Sequence, residues 1–112
     1  MSNHNLYMNR NNQKKYTLGK SKIQGSGIIA TFSIKENEVI DIGIDYWLGL
    51  IPYVTQFGSW LNHCDNANTQ LVYFGKYYIV TKRPIKKGEE LTVNYDTAPW
   101  YVERSRSWYK KC

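Results

Sequence analysis

Cysteine is scarce in this chain: two in 112 residues, Cys64 and the last residue, Cys112. Two thiols make no disulfide framework, and they cannot supply the four ligands of a structural zinc site. A reducing compartment suits them. No apolar run is long enough to cross a bilayer, and the opening MSNHNLYMNRNNQKK has no apolar segment behind its charges to form a signal peptide. A soluble intracellular protein with no membrane partner is expected. Acidic residues are outnumbered, 9 against 15 Lys and Arg, for a formal charge of +6 and a pI near 9.3. Such a chain attracts anions, whether nucleic acid, an acidic protein face or an anionic cofactor. The basic residues are spread in small groups, Lys14-Lys15, Lys86-Lys87 and Lys110-Lys111 among them. That dispersal reads as solvated surface more than as one binding block.

What is present is aromatic. Ten Tyr and four Trp bring the aromatic share to 15%, large burial units for a chain whose length fits one domain. The Asn-rich segment 1–15 has no periodicity and reads as a flexible arm. Short β-type segments follow: Tyr16-Thr17-Leu18, Lys22-Ile23, Ile28 to Phe32, and Val39 to Ile42, with the GSG of Gly25-Ser26-Gly27 as a turn or bulge. Pro52 is placed to open a short helix that Gly58 would stop. LVYFGKYYIVTKRPI reads as a hairpin turning at Gly75-Lys76, and KKGEE as another turn. LTVNY reads as a last strand alternating Leu91, Val93 and Tyr95 against Thr92 and Asn94. By physics alone this is a small β-rich domain with little helix.

Three stretches carry more. GSGIIATFSIKENEVI, LNHCDNAN and RPIKKGEELTVNYD, in that order, resemble the signature regions of SET-domain protein lysine methyltransferases: a GxG turn with its apolar strand, the NHSxxPN loop, and GEELTxxY. The match runs from Gly25 to Asp96, with Cys64 and Ala67 standing where the family has Ser and Pro. The chain is similar in particular to the minimal viral members, since the cysteine clusters flanking many cellular ones are absent. The resemblance implies a mainly β SET fold (β-clip-like), with short strands in small sheets and a C-terminal pseudoknot that brings Asn62 and Tyr95 together. It divides the chain into the arm 1–15, the SET domain 16–98 and an aromatic, basic tail 99–112 without zinc cysteines. The insert between Val39 and Asn62 is shorter than in most of the family, which leaves the substrate open.

The resemblance also implies a site. S-adenosylmethionine would lie against Gly25, Ser26, Gly27, Asn62, His63, Tyr95 and Trp100. A lysine would enter a channel walled by Tyr46, Tyr95 and Tyr101, with Tyr95 and Tyr46 as the catalytic residues and no metal. Glycine permits close backbone approach to a ligand, and buried polar ligand atoms need partners of the kind that Asn and His supply. Asn68 divides between a ligand contact and an ordinary Asx bond within its loop. Tyr53, Tyr73, Tyr77 and Tyr78 are given no role. Cys64 beside His63 suggests a thiol nucleophile only weakly, because neighbours on an extended backbone point apart. The expected partners are a lysine-bearing protein or peptide, with histone as one substrate class, and a second copy of the chain docked near PWYVERSRSWY. Nucleic acid is not required. If the chain is viral, it belongs in the host cytoplasm or nucleus. Two other readings stand beside the enzyme: a silent SET module that binds a peptide, and a small basic nucleic-acid binder whose aromatics stack on bases.

Overall fold

The computed structural model describes residues 14–99, 101 and 102. Runs of β-branched and aromatic residues between tight turns form β1 (Tyr16–Lys20), β2 (Ser26–Ala30), β3 (Val39–Trp47), β4 (Ile51–Val54), β5 (Asn62–His63), β6 (Thr69–Tyr73), β7 (Tyr77–Thr81) and β8 (Glu90–Val93). One short helix, α1 (Gln56–Trp60), precedes β5, and a 3₁₀ turn at Tyr95–Thr97 follows β8. The strands make two four-stranded sheets, ordered β1-β2-β8-β5 and β4-β3-β7-β6. This mainly β architecture of small sheets with little helix is consistent with the SET fold that the motifs imply. Among the described residues no helix is long and apolar enough to cross a membrane.

Ile28, Ala30 and Leu91 from the first sheet meet Ile40 and Ile79 from the second, with Phe57 of α1 and Leu61 between them. Burying each such side chain stabilises the fold by roughly 1.5–3 kcal/mol. The ring of Tyr16 leans on that of Phe57 at 4.6 Å between centroids. The bridge Ile34↔Ile85 ties two connecting loops to the same cluster.

β8 lies between β2 and β5, antiparallel to the first (Ile28↔Leu91) and parallel to the second (Asn62↔Thr92, His63↔Val93). A strand hemmed in on both edges and covered on both faces does not alternate, and Leu91, Thr92 and Val93 are all buried. The expected alternation therefore fails at Thr92, and Tyr95 belongs to the 3₁₀ turn beyond the strand.

The helix is also placed differently from the sequence expectation. Pro52 lies in β4, a sheet-edge strand where a missing N–H is tolerated. The cap is Thr55, whose hydroxyl accepts from the N–H of Gly58 at 3.0 Å. Gly58 sits inside α1 and does not end it, because a Cβ there would lie 2.4 Å from the carbonyl oxygen of Gly43. The hairpin β6–β7 turns through Phe74–Lys76, with Gly75 at φ +74°, as its sequence suggests. Lys15, assigned to the arm, is buried and belongs to the domain: its ammonium donates to the carbonyl of Val39 and pairs with Glu38, both at 3.0 Å. The rest of the arm, residues 1–13, lies outside the described residues.

Candidate functional site

The turn between β1 and β2 is closed by side chains from two distant parts of the chain. Ser21 accepts from the backbone N–H groups of Ile23 and Gln24 at 2.8 and 3.1 Å, a local turn of the kind serine favours. Its hydroxyl faces both carboxylate oxygens of Glu90 at 2.8 and 2.9 Å. Because β5 runs alongside β8, Asn62 arrives at the same place. Its amide nitrogen lies 2.9–3.1 Å from four acceptors: Glu90 Oε2, Ser21 Oγ, and the carbonyls of Gln24 and Ser26.

Of the two glycines in GSG, Gly27 is set by these neighbours. A Cβ on Gly27 would stand 2.4 Å from Glu90 Oε2 and 3.1 Å from the Asn62 amide nitrogen, so no other residue fits without displacing the carboxylate. A Cβ on Gly25 would meet nothing within 4 Å. The turn is filled on its inner side and open on its outer side. Ser26 contributes its carbonyl to the amide of Asn62, and it is exposed.

His63 is buried, with both ring nitrogens engaged. Nδ1 accepts from the backbone N–H of Tyr95 at 3.0 Å, which leaves Nε2 to donate to Asp65 at 2.7 Å. The ring therefore joins its loop to the chain after β8. Asn68 does the same one turn later: its carbonyl oxygen accepts from Thr92 N at 2.9 Å and its amide donates to the carbonyl of Glu90 at 2.8 Å. At 3% exposure it is a clamp between loop and strand. Arg83 holds the loop from outside, donating to the carbonyls of Asn66 and Ala67 at 3.1 and 3.2 Å. Cys64 is buried beside these residues.

Tyr95 is partly buried against the core, its ring 5.1 Å from that of His63. Its hydroxyl donates to the carbonyl of Leu61 at 2.7 Å. Next to it opens an apolar cavity of about 40 Å³, walled among others by Gly43, Leu61, Ile79, Val93, Ala98 and Val102. Leu61 and Asn62 are adjacent, so one peptide unit joins this cavity to the polar turn.

Tyr46 and Tyr101 form a separate group and do not line that cavity. Their hydroxyls share a hydrogen bond, and the Tyr101 hydroxyl is pushed up to about 12. Burial is the larger cause; the bond to Tyr46 and the nearness of Tyr46, Tyr77 and Tyr73 add to it. The rings of Tyr73 and Tyr77, given no role from sequence, meet at a tilt in the same region, 5.1 Å between centroids. Trp100 lies outside the described residues.

Three participants escaped the sequence reading. Glu90 sits inside the GEEL motif but has no distinguishing mark there. Ser21 shows only the weak signal of a turn-forming residue. Leu61 acts through its backbone carbonyl, to which sequence is blind.

The SET domain family matches residues 45–96, in agreement with the resemblance that the motifs carry. Among solved structures it is similar to a Plasmodium falciparum protein provisionally named as a histone methyltransferase, at 23% identity and a TM-score of 0.62, covering 79% of this chain and 98% of that one. It is also similar to an apo ctPRC2 with mutations in Ezh2, at 21% identity and a TM-score of 0.55, covering 80% of this chain and 16% of that one. Identities this low establish the fold alone. No curated protein matches the chain.

Proposed function

We propose that this SET-domain chain is an S-adenosylmethionine-dependent methyltransferase acting on a lysine side chain of a protein. One observation carries the reading: the peptide unit of Leu61 and Asn62 has the polar, glycine-lined turn at one end and the Tyr95 cavity at the other. A methyl donor in the turn and an amine in the cavity would meet across it. The residues of the turn fit the cofactor. Gly25 opens outward with nothing within 4 Å of where a Cβ would stand, and Asn62 brings its amide to the same turn. Gly25, Ser26, Gly27 and Asn62 would hold it, and when bound it supplies an electrophilic methyl.

The chain's own part is alignment and desolvation. Apolar walls around Tyr95 disfavour a lysine ammonium, so the amine enters ready to act as a nucleophile. Holding a reactive pair at near-attack distance lowers a barrier by several kcal/mol. The Tyr95 hydroxyl, with its proton committed to Leu61, presents lone pairs to whatever sits beside it. His63 acts on this arrangement through its backbone and by pinning Tyr95 N, since its ring nitrogens are taken. Tyr46 and Tyr101, bonded to each other outside the lining of that cavity, would meet a substrate before it enters.

The substrate class is an exposed lysine segment, for which a histone tail is the first to try. The domain acts as a homodimer in this reading, intracellular, and the likeness to minimal viral members remains a reading of the sequence. Calorimetric titration with S-adenosylmethionine, followed by transfer of a labelled methyl to histones and unstructured lysine peptides, tests the proposal. Binding without transfer to any of them would favour the second reading, a silent peptide-binding module. One observation speaks for that: a cavity of about 40 Å³ is little larger than a single water's share of the liquid and must widen to admit a lysine stem.

A further inference from the structure

The outer face of the second sheet carries a cavity that the Tyr95 site does not use. Ile79 points into the core and walls the Tyr95 cavity. Its neighbours on β7, Tyr78 and Val80, therefore point the other way. Strand pairing sets Val39 beside Val80 and Val72 beside Tyr78 on that outer face. With Phe74 these four residues line an apolar cavity of about 280 Å³. A dry cavity of about 150 Å³ takes one benzene, so there is room here for about two side chains of that size. Val72 is 40% exposed and Phe74 83%, and apolar surface gathered in a hollow is a place for something to bind.

The chain itself delivers the occupant. Lys15 is fixed at one corner of the cavity: its ammonium donates to the carbonyl of Val39 at 3.0 Å, and its own carbonyl accepts from the N–H of Thr31 at 2.9 Å. Residues 1–13 thus join the domain beside a residue that lines the hollow. Apart from Met1, the only apolar residues of that Asn-rich segment are Leu6-Tyr7-Met8. Seven residues separate Met8 from Lys15, a reach of up to about 25 Å. Val39 and Phe74 lie under about 20 Å apart, given roughly 4.8 Å between strands and 3.3 Å per residue along them. The length fits. A second copy fits less well, since a stable complex buries about 800 Å² and roughly 20–30 residues on each partner, and five residues fall far short of that. A tethered segment needs no such area, because the tether holds it at a high effective concentration.

We propose that Leu6-Tyr7-Met8 docks in this cavity, making the N-terminal segment a strap across the outer face of β3, β7 and β6. The sheet it braces is the one whose inner face walls the Tyr95 cavity through Gly43, Leu71 and Ile79. The strap stands whether or not the chain binds a cofactor.

Methionine supplies the probe, because Met1 and Met8 are the only two in the chain. The full chain is labelled with carbon-13 in its methionine methyl groups, and the Met8 signal is assigned by its loss in Met8→Leu. Nuclear Overhauser contacts from that methyl to the rings of Phe74 and Tyr78 are expected, and in a mixture of labelled and unlabelled chains isotope filtering should place them within one chain. Contacts only between chains would put a second copy in the cavity, and a Met8 methyl touching neither ring would leave the cavity to a separate partner; either result overturns the strap. Melting curves give an independent check. Leu6→Asn combined with Met8→Asn should lower the melting temperature by roughly 4 °C or more, and by much less in a chain already carrying Val72→Asn, a partly exposed position on an edge strand. Equal shifts in the two backgrounds, or none in either, would overturn the docking. Should Val72→Asn fail to fold, the methyl contacts decide alone.

Discussion

The two sheets end in opposite kinds of surface. At the turn before β2, in the first sheet, Ser21, Gln24, Ser26, Asn62 and Glu90 engage one another through short hydrogen bonds. At the far end of the second sheet the hairpin turns of β3–β4 and β6–β7 lie side by side, because β3 and β7 pair in antiparallel register there (Ile44↔Tyr77). That end is apolar and open: Leu48 is 74% exposed, Leu50 80% and Phe74 83%. Leu48 also sits at φ +52°, a backbone conformation unfavourable for a branched apolar residue, in a turn of the kind that prefers Asn-Gly. The first end is polar groups arranged around an open turn; the second retains exposed apolar residues at a cost in solvation and in backbone strain. A site for a small polar ligand needs the first kind of surface, and contact with another macromolecule needs the second.

The comparison breaks most severely where the apolar half meets the cavity. Gly58→Ala places a Cβ 2.4 Å from a backbone oxygen that has nowhere to go, so chemical denaturation should show a loss of at least about 2 kcal/mol. A midpoint equal to wild type would mean that α1 does not sit on Gly43.

Next comes the polar end. Asn62→Ala should weaken S-adenosylmethionine binding by roughly 1–3 kcal/mol, the cost of an unmet buried hydrogen bond, without a matching fall in melting temperature. His63→Ala should do the reverse, lowering the melting temperature first, because its ring links the loop to Tyr95. If calorimetry and melting curves moved together in both variants, the division between ligand contact and loop clamp would be lost.

Tyr95→Phe removes only a hydroxyl and its bond to Leu61. The expected stability loss is about 1 kcal/mol, alongside a substantial fall in methyl transfer. Turnover equal to wild type at saturating cofactor would remove Tyr95 from the chemistry.

Leu48→Asn tests the apolar end with the opposite sign. Relieving the left-handed leucine should stabilise the isolated chain by about 1 kcal/mol. A destabilised variant would mean that Leu48 packs on something in solution, which light scattering of both proteins would reveal.

The smallest effect is at high pH. The Tyr101 hydroxyl is raised from 10.0 to about 12, so between those values the folded chain keeps a proton that the unfolded chain loses. Its contribution is present below pH 10 and disappears as pH rises toward 12. The stability gap between wild type and Tyr101→Phe should shrink over that window; a gap that stays constant would place the hydroxyl in ordinary solvent.

Much of this protein is set by local chemistry and so is legible in its sequence. Glycine turns, β-branched runs and the order of the three motifs point to a small β-rich domain that resembles the SET family. They also single out Asn62 and Tyr95, because residues at fixed spacing in a motif keep their neighbours. Local chemistry could not place Pro52 in an edge strand or Gly58 inside a helix, since both follow from a contact with β3 across the fold. Nor could it pair Glu90 with Asn62 and Ser21, which lie 28 and 69 residues away. The sequence by itself determined which residue types the turn and the cavity have to work with. The tertiary structure alone decided that His63 faces inward as a clamp, that Tyr46 meets Tyr101 away from the Tyr95 cavity, and that the Glu90 carboxylate fills the space beside Gly27. The reason is that hydrogen bonding and burial act through space, and only the parallel pairing of β5 with β8 brings these groups within reach.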